Sequence, residues 1–395
     1  MKHLKIIFRI IFLLSVAVFA PSNASAQSTE DIAYFDSVEV SLLTCQPHDE
    51  VYSLYGHTAL RWHDLHKENA DIAFNWGVFD YGAPYFVIRF VFGLTDYELG
   101  GYPYELFKEE YRQYGSMVNE QVLNLTSEEK LQLRKALSEN LLPENRIYRY
   151  NYFYNNCTTK ARDIIEQCVN GKIEYAERQD YTPSYRQTIH EMTIHNPWSR
   201  FGNDLLLGVK ADQPTTLRQQ EFLPQNLQYD FDRAQIYKDG QYRPLVKERR
   251  VAVAAGVQIV DRAFPLSPKE CALVLAVWGI LLFCLEFKKR IAFLWWDVVL
   301  MIVTAIIGTV LFLMLFSQHP TVSLNLHILL FNPLPWFYLW SVIRKKKTHY
   351  WAITSVLAIL FLLGSIWQHY AEGIHVLALF LLMQSYIHQK RVIKE

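Results

Sequence analysis

At 395 residues the chain has room for two domains. Its 39 Lys and Arg balance 39 Asp and Glu, so a formal charge of zero gives no footprint for nucleic acid or another polyanion. Hydrophobic residues make up 51%, but the apolar excess lies after residue 265, so a soluble half precedes a membrane half.

Residues 1–26 have the form of a secretory signal peptide. Lys2, Lys5 and Arg9 make a basic start, Ile10 to Ala20 an apolar run, and Ala24-Ser25-Ala26 a small-residue cleavage site before Gln27. An uncleaved N-terminal anchor is the alternative; either one exports the chain from Gln27 onward.

Residues 27–265 form the expected exported domain. Val38, Val40 and Leu42 alternate with polar residues and predict a strand ending near Cys45. His57 to His63 alternates as well, with His57, Ala59 and Arg61 on one face. Asp71 to Asp80 sets Ile72, Phe74, Trp76 and Val78 against Ala73, Asn75 and Gly77. Tyr81 to Gly93 is aromatic and apolar and runs on to Tyr97. It reads as a buried core segment or as an amphiphilic lip at a membrane surface. A further strand is predicted over 118–125. Thr126-Ser127-Glu128-Glu129 is a capping box that opens a helix to about Asn140. The next helix starts at Asn156 or Cys157 and stops at Gly171. Residues 172–265 read as helices and loops leading to the membrane.

On the helix from Cys157, Ala161, Ile164, Ile165 and Cys168 form one apolar stripe, with Cys157 at its start. A stripe packed on the sheet would aim Cys157 at it. A thiol at a helix N-terminus is a candidate nucleophile, because backbone N–H groups and the helix dipole stabilise the thiolate. A buried structural cysteine is the plainer alternative, but Asn155-Asn156-Cys157-Thr158-Thr159 is polar for a core position. His57 is the candidate base and Asn75 the candidate third group that orients the imidazole. Arg61 could bind a phospholipid phosphate or pair with an acid. Arg61, Asn156 and Tyr97 are the candidate substrate-binding residues of this half.

Of the five cysteines, Cys271 and Cys284 fall in the apolar tail. Three thiols in an oxidising compartment leave at least one unpaired. A Cys45–Cys168 pairing would leave Cys157 free, although spacing cannot establish a disulfide. No HExxH, CxxC or glycine-rich phosphate loop is present, and neither a metal nor a cofactor is expected.

Residues 266–395 form the expected transmembrane domain, with five helices at about 270–287, 291–316, 324–343, 350–367 and 372–388. Each approaches or exceeds the ~17–20 residues that span a bilayer. Lys288-Lys289-Arg290, Arg344 to Lys347, and Lys390, Arg391 and Lys394 lie in alternate connections. The other connections, 317–323 and 368–372, carry no Lys or Arg. The positive-inside rule then places the exported domain outside the inner membrane and the C-terminus inside. The third segment is interrupted by Asn325, His327, Asn332, Pro333 and Pro335. Polar groups at that depth mark either a functional cavity or only the headgroup level and a kink. His319 and His327 are candidate headgroup ligands.

Leu43-Thr44-Cys45, Tyr55 to Arg61, Asn75 to Asp80, Asn156 to Asp163 and Asp204 to Gly208 resemble the Lnb N-terminal periplasmic domain, and the five-span tail resembles the membrane part of the Lnb family of lipoprotein N-acyltransferases. The order of His before Cys is similar to that of permuted papain-like (NlpC/P60-like) enzymes that handle lipid acyl chains. The resemblance implies an α+β periplasmic domain with a His-then-Cys site, followed by a five-helix membrane domain. It implies acyl transfer from a phospholipid to the α-amino group of diacylglyceryl-cysteine lipoproteins, with Cys157 as nucleophile and His57 as base. The role of Asn75 rests on strand position alone. A membrane-tethered cysteine peptidase or amidase of the envelope, and a non-catalytic lipid-binding scaffold, are the alternatives. Five spans argue against a wall peptidase, which needs only one anchor.

Overall fold

The computed structural model describes residues 34–392 except 49, 51–52, 68–69, 81, 179–180 and 259–263. The expected signal peptide and Tyr81 lie outside the described residues, as do the side chains of Lys390, Arg391 and Lys394. In chain order the elements are β1 (Val38–Cys45), β2 (His57–Asp64), β3 (Asp71–Val78), α1 (Phe86–Val91), β4 (Asp96–Pro103), α2 (Tyr104–Gln113) and β5 (Val118–Leu123). Next come α3 (Ser127–Asn140), β6 (Ile147–Arg149), α4 (Cys157–Cys168), β7 (Lys172–Glu174), α5 (Tyr185–Met192), α6 (Pro197–Leu206) and α7 (Pro224–Phe231). Then come three strands, β8 (Gln235–Lys238), β9 (Gln241–Pro244) and β10 (Val246–Val253). The apolar helices close the chain: α8 (Pro268–Lys289), α9 (Leu294–Met314), α10 (Leu334–Ile343), α11 (Tyr350–Gly364) and α12 (Ile374–Val392).

The chain divides into two compact units. The first holds the described parts of 1–86, 95–182 and 215–261; the second holds 87–94, 183–214 and 262–395. The boundary is therefore not a single point near 265, because two inserted segments belong with the helical unit.

The first unit is an α+β domain. Its sheet runs β10-β5-β1-β2-β3-β4-β6, antiparallel throughout, and β7-β8-β9 form a second small sheet. Both faces of the main sheet are covered. On one, Leu42, Leu60, Phe74 and Trp76 bury against Leu133 of α3, Ala161 and Ile165 of α4 and Leu227 of α7. On the other, Ala59 and Ala73 leave room for Tyr104, Phe107 and Tyr111 of α2. The small residues near Asn75 thus accommodate α2, and the stripe of α4 packs on the opposite face. Cys45 belongs to the α2 side and Cys168 to the α4 side. Both are free thiols, so the pairing considered between them does not form.

The capping box at Thr126 is present, with Glu129 closing it. The expectation for 172–265 misses four strands, β7 to β10. Lys247, Glu248, Arg249 and Arg250 of β10 are polar because this strand is a sheet edge, which charged side chains protect from further pairing.

In the second unit, Pro268–Lys289, Leu294–Met314 and Leu326–Ile343 are long and apolar enough to cross a membrane; Tyr350–Gly364 and Ile374–Gln389 are shorter apolar helices. The third segment is broken: a 3-10 turn, Leu326–Leu329, precedes α10. Gly308 of α9 admits the break, since a Cβ there would lie 2.2 Å from the Asn332 amide nitrogen. Near the α8–α9 turn, Glu286 accepts the Phe293 N–H, and Gln384 donates to both Glu286 and Asp297. These bonds satisfy two carboxylates that are otherwise costly to bury.

Candidate active site

Cys157 opens α4. Asn156 is its N-cap: Oδ1 accepts the Thr159 N–H at 2.9 Å, and the Thr159 hydroxyl accepts the Asn156 N–H at 2.9 Å. The Asn156 amide also donates to the Tyr152 and Phe222 carbonyls at 3.0 and 2.9 Å. A buried side chain so engaged offers no free group to a substrate, and the expected binding role is corrected to a capping one.

His57 starts β2 and Asn75 lies late in β3. The β2–β3 ladder runs only from His63↔Asp71 to Leu60↔Phe74, so His57 and Asn75 face an unpaired fork at the end of the sheet. There His57 Nε2 lies 2.8 Å from Asn75 Oδ1. The same oxygen accepts the Gly77 N–H at 2.6 Å. A backbone N–H can only donate, so the amide must present its oxygen, and Nε2 must carry the ring proton. Nδ1 is left to face the thiol. Gly77 makes room for the ring: a Cβ there would come 2.7 Å from His57 Cε1.

The thiol and imidazole are coupled: after burial, each is the largest influence on the ionisation of the other. Burial disfavours the thiolate, but the His57 charge and hydrogen bond outweigh it. With help from the Thr58 N–H and the Thr158 hydroxyl, they bring the Cys157 thiol below its ordinary range. Burial also disfavours imidazolium, yet Cys157 and Asn75 hold His57 above its usual value. Cys157 and His57 thus come together at the sheet's open end, although α4 packs on the face opposite His57. Underneath, the fully buried Thr58 and Thr158 hydroxyls meet at 3.0 Å and tie strand to helix. Chemically, such a pair can hold a thiolate and exchange a proton with a bound group.

Tyr97 lies in an aromatic wall. Its ring stacks on Tyr150 at 3.9 Å and on Phe79 at 4.6 Å between centroids. Burial above all, and to a lesser degree the Cys157 charge, holds the Tyr148, Tyr150 and Tyr152 hydroxyls well above their usual range. These three tyrosines, Gly77 and the threonine pair are additions to the expected site. The alternation Tyr148-Arg149-Tyr150-Asn151-Tyr152 was the available signal for the wall.

Arg61 does not reach the site. Its guanidinium binds Asp71 through Nε and Nη2, both at 2.7 Å, and Glu120 through Nη1 at 2.8 Å, with the Tyr104 ring 3.8 Å away. Of its two expected roles, acid pairing is the one observed: two carboxylates and, at 3.2 Å, the His63 Nδ1 engage its three nitrogens.

His319 and His327 belong to the second unit. His319 is half-buried and hydrogen-bonds the Phe90 backbone. His327 is fully buried: Nδ1 contacts Asn325 Oδ1 at 2.9 Å, and Nε2 accepts the Ala371 N–H at 3.3 Å. Asn325 donates onward to the Leu205 carbonyl, and Gln368 to that of Leu207. His327 therefore holds the broken helix in place, and its expected headgroup contact is corrected on grounds of burial. Beside this network, Arg186 is paired with Asp204 and Asp212 at 2.8 and 2.9 Å. Among the described residues, no three His, Cys, Asp or Glu side chains converge as a metal site would require.

A coupled thiol and imidazole on an α+β unit, in one chain with long apolar helices, defines a membrane protein with a cysteine–histidine site. Residues 26–206 match the Lnb N-terminal periplasmic domain, and residues 260–395 match the Lnb transmembrane domain. The chain belongs to the Lnb family, which points to a lipoprotein-modifying membrane enzyme. Comparison with curated proteins finds no match, and comparison with solved structures finds none.

Proposed function

We propose that the protein is a lipoprotein N-acyltransferase that carries an acyl chain on Cys157. The observation that supports this most directly is the coupling of Cys157 to His57, with Asn75 on the far ring nitrogen, in a chain of the Lnb family. The first unit has a permuted papain-like, His-then-Cys arrangement. The Cys157 thiolate attacks the acyl ester carbonyl of a phospholipid. His57, protonated by the thiol, gives that proton to the departing alkoxide, and a lysophospholipid leaves. The α-amino group of a diacylglyceryl-cysteine lipoprotein then attacks the thioester carbonyl. The amide forms, the C–S bond breaks, and His57 accepts the amine proton. N–H groups at the start of α4 are placed to stabilise the oxyanion in both steps. Five spans, N-terminus outside and C-terminus inside the inner membrane, tether the catalytic unit to the membrane that holds both lipid-anchored substrates.

Intact-mass measurement after incubation with phospholipid alone tests the mechanism. The expected product is an acyl adduct on Cys157 that hydroxylamine removes and that a diacylated lipopeptide with a free N-terminus discharges. Cys157→Ser should form no such thioester. N-acylation of lipopeptide by Cys157→Ser at the wild-type rate rules out the thioester route, and cleavage of peptide bonds without acyl transfer indicates a peptidase instead.

A further inference from the structure

Between β3 and β4 the chain leaves the sheet, and residues 87–94 pack with the second unit. There they are fastened to the connection directly after α9. The Gln318 N–H donates to the Phe92 carbonyl at 3.0 Å. Gly93, in the left-handed region at φ 69°, lies against the Gln318 and His319 backbone, where a Cβ would come 3.2 Å from both amide nitrogens. The Phe90 ring lies 6.1 Å from that of His319. A helix long and apolar enough to cross a membrane ends at Met314, so a segment bolted to the next residues sits at the depth where hydrocarbon gives way to headgroups.

At that depth the chain displays apolar side chains. Ile88 is 56% and Phe90 44% exposed on α1, and Phe316 and Leu324 on the adjoining connection are 65% and 61% exposed. Arg89 lies between the two α1 side chains and turns its Nε to the Leu94 carbonyl at 3.2 Å. The same end of the helices carries a second such group. Only residues 290–293 separate α8 from α9, so the start of α8 and the end of α9 lie at one level. By the start of α8, the exposed rings of Trp198 and Phe264 pack edge to face at 5.8 Å, and the Trp198 indole N–H donates to the Leu266 carbonyl. Aromatic side chains with one polar tie, clustered at the end of apolar helices, have the composition of a membrane interface rather than of a water-facing loop.

We propose that α1, with Phe316 and Leu324, is an interfacial lip inserted into the headgroup–acyl boundary of a phospholipid bilayer. Its apolar side chains lie in lipid, and Arg89 lies at headgroup level. The lip is a chain insertion between the strands that carry Asn75 and Tyr97. Its insertion does not depend on the acyl-transfer reaction, so its test needs no activity.

The experiment places the photoreactive residue p-benzoylphenylalanine at position 88 or 90, or at exposed Glu109 of α2 as control, in the full chain. The protein is held in nanodiscs of phosphatidylethanolamine and phosphatidylglycerol and irradiated. Intact mass should show covalent addition of one phospholipid at 88 and at 90, several-fold above position 109. Lipid addition at 88 and 90 no higher than at 109, or crosslinking of these positions to a second copy of the chain, overturns the proposal.

Discussion

Replacing Asn75 by alanine removes the acceptor that orients His57. In the wild-type protein one Asn75 oxygen takes the His57 Nε2 proton at 2.8 Å and the Gly77 N–H at 2.6 Å. Without it, nothing in the fork selects the tautomer with Nδ1 free, and the imidazolium loses a partner. A hydrogen bond to a charged group contributes ~1.5–3 kcal/mol, and at ~1.4 kcal/mol per tenfold in rate that is roughly a 10- to 150-fold loss in kcat/KM. The assay is N-acylation of a diacylated lipopeptide by detergent-solubilised protein, run alongside iodoacetamide alkylation of Cys157 across pH. Asn75→Asp keeps both acceptor functions and adds a negative charge. It should retain most of the activity, with His57 losing its proton at higher pH than in the wild type. The reasoning fails if Asn75→Ala, folded and inserted, keeps the wild-type kcat/KM and pH profile.

The Cys157–His57 pair titrates as a unit, and the sign of its pH dependence comes from the two shifts. Lowering the pH protonates a thiolate whose pKa lies below the ordinary value of ~8.5, and raising it removes a proton from an imidazolium whose pKa lies above the ordinary ~6.5. Alkylation of Cys157 should therefore begin at lower pH than for a free cysteine, and acyl transfer should fall again as His57 deprotonates. His57→Ala should move the alkylation profile to higher pH, because burial then acts with little opposition; coincident profiles for the two proteins would contradict the coupling. Thr158→Val deprives the buried Thr58 hydroxyl of its 3.0 Å partner and takes a hydroxyl from the thiol. It should cost about 1–3 kcal/mol of stability in denaturant titration and raise the pH of alkylation. Thr158→Ser should restore both, and failure of the serine to do so would assign the effect to packing.

Local periodicity alone was enough to place β1, β2, β3, α3 and α4, because each buries a face whose repeat is written in consecutive residues. The polar cap at Asn156 located the start of α4, and hydropathy located the apolar helices. Position within an element also singled out His57, Asn75 and Cys157. The other features depend on partners distant in the chain. Charged β10 reads as a loop until β5 pairs with it, and the Tyr81–Gly93 stretch reads as either core or lip until Tyr85, Ile88 and Phe90 are found exposed. The alternation of β2 sets Arg61 on the His57 face, but only the approach of Asp71, Glu120 and Tyr104 shows that its guanidinium is already satisfied. His327 resembles a free ligand in a broken helix until Asn325, Gln368 and the Ala371 amide enclose it. The meeting of His57 with Cys157 also arises from no local pattern. The stripe of α4 packs on the face opposite His57, and the two reach each other because the β2–β3 ladder ends at Leu60 and Gly77 has no side chain to block the ring. Local sequence determines what each element can bury, and tertiary pairing decides which polar groups that burial leaves free.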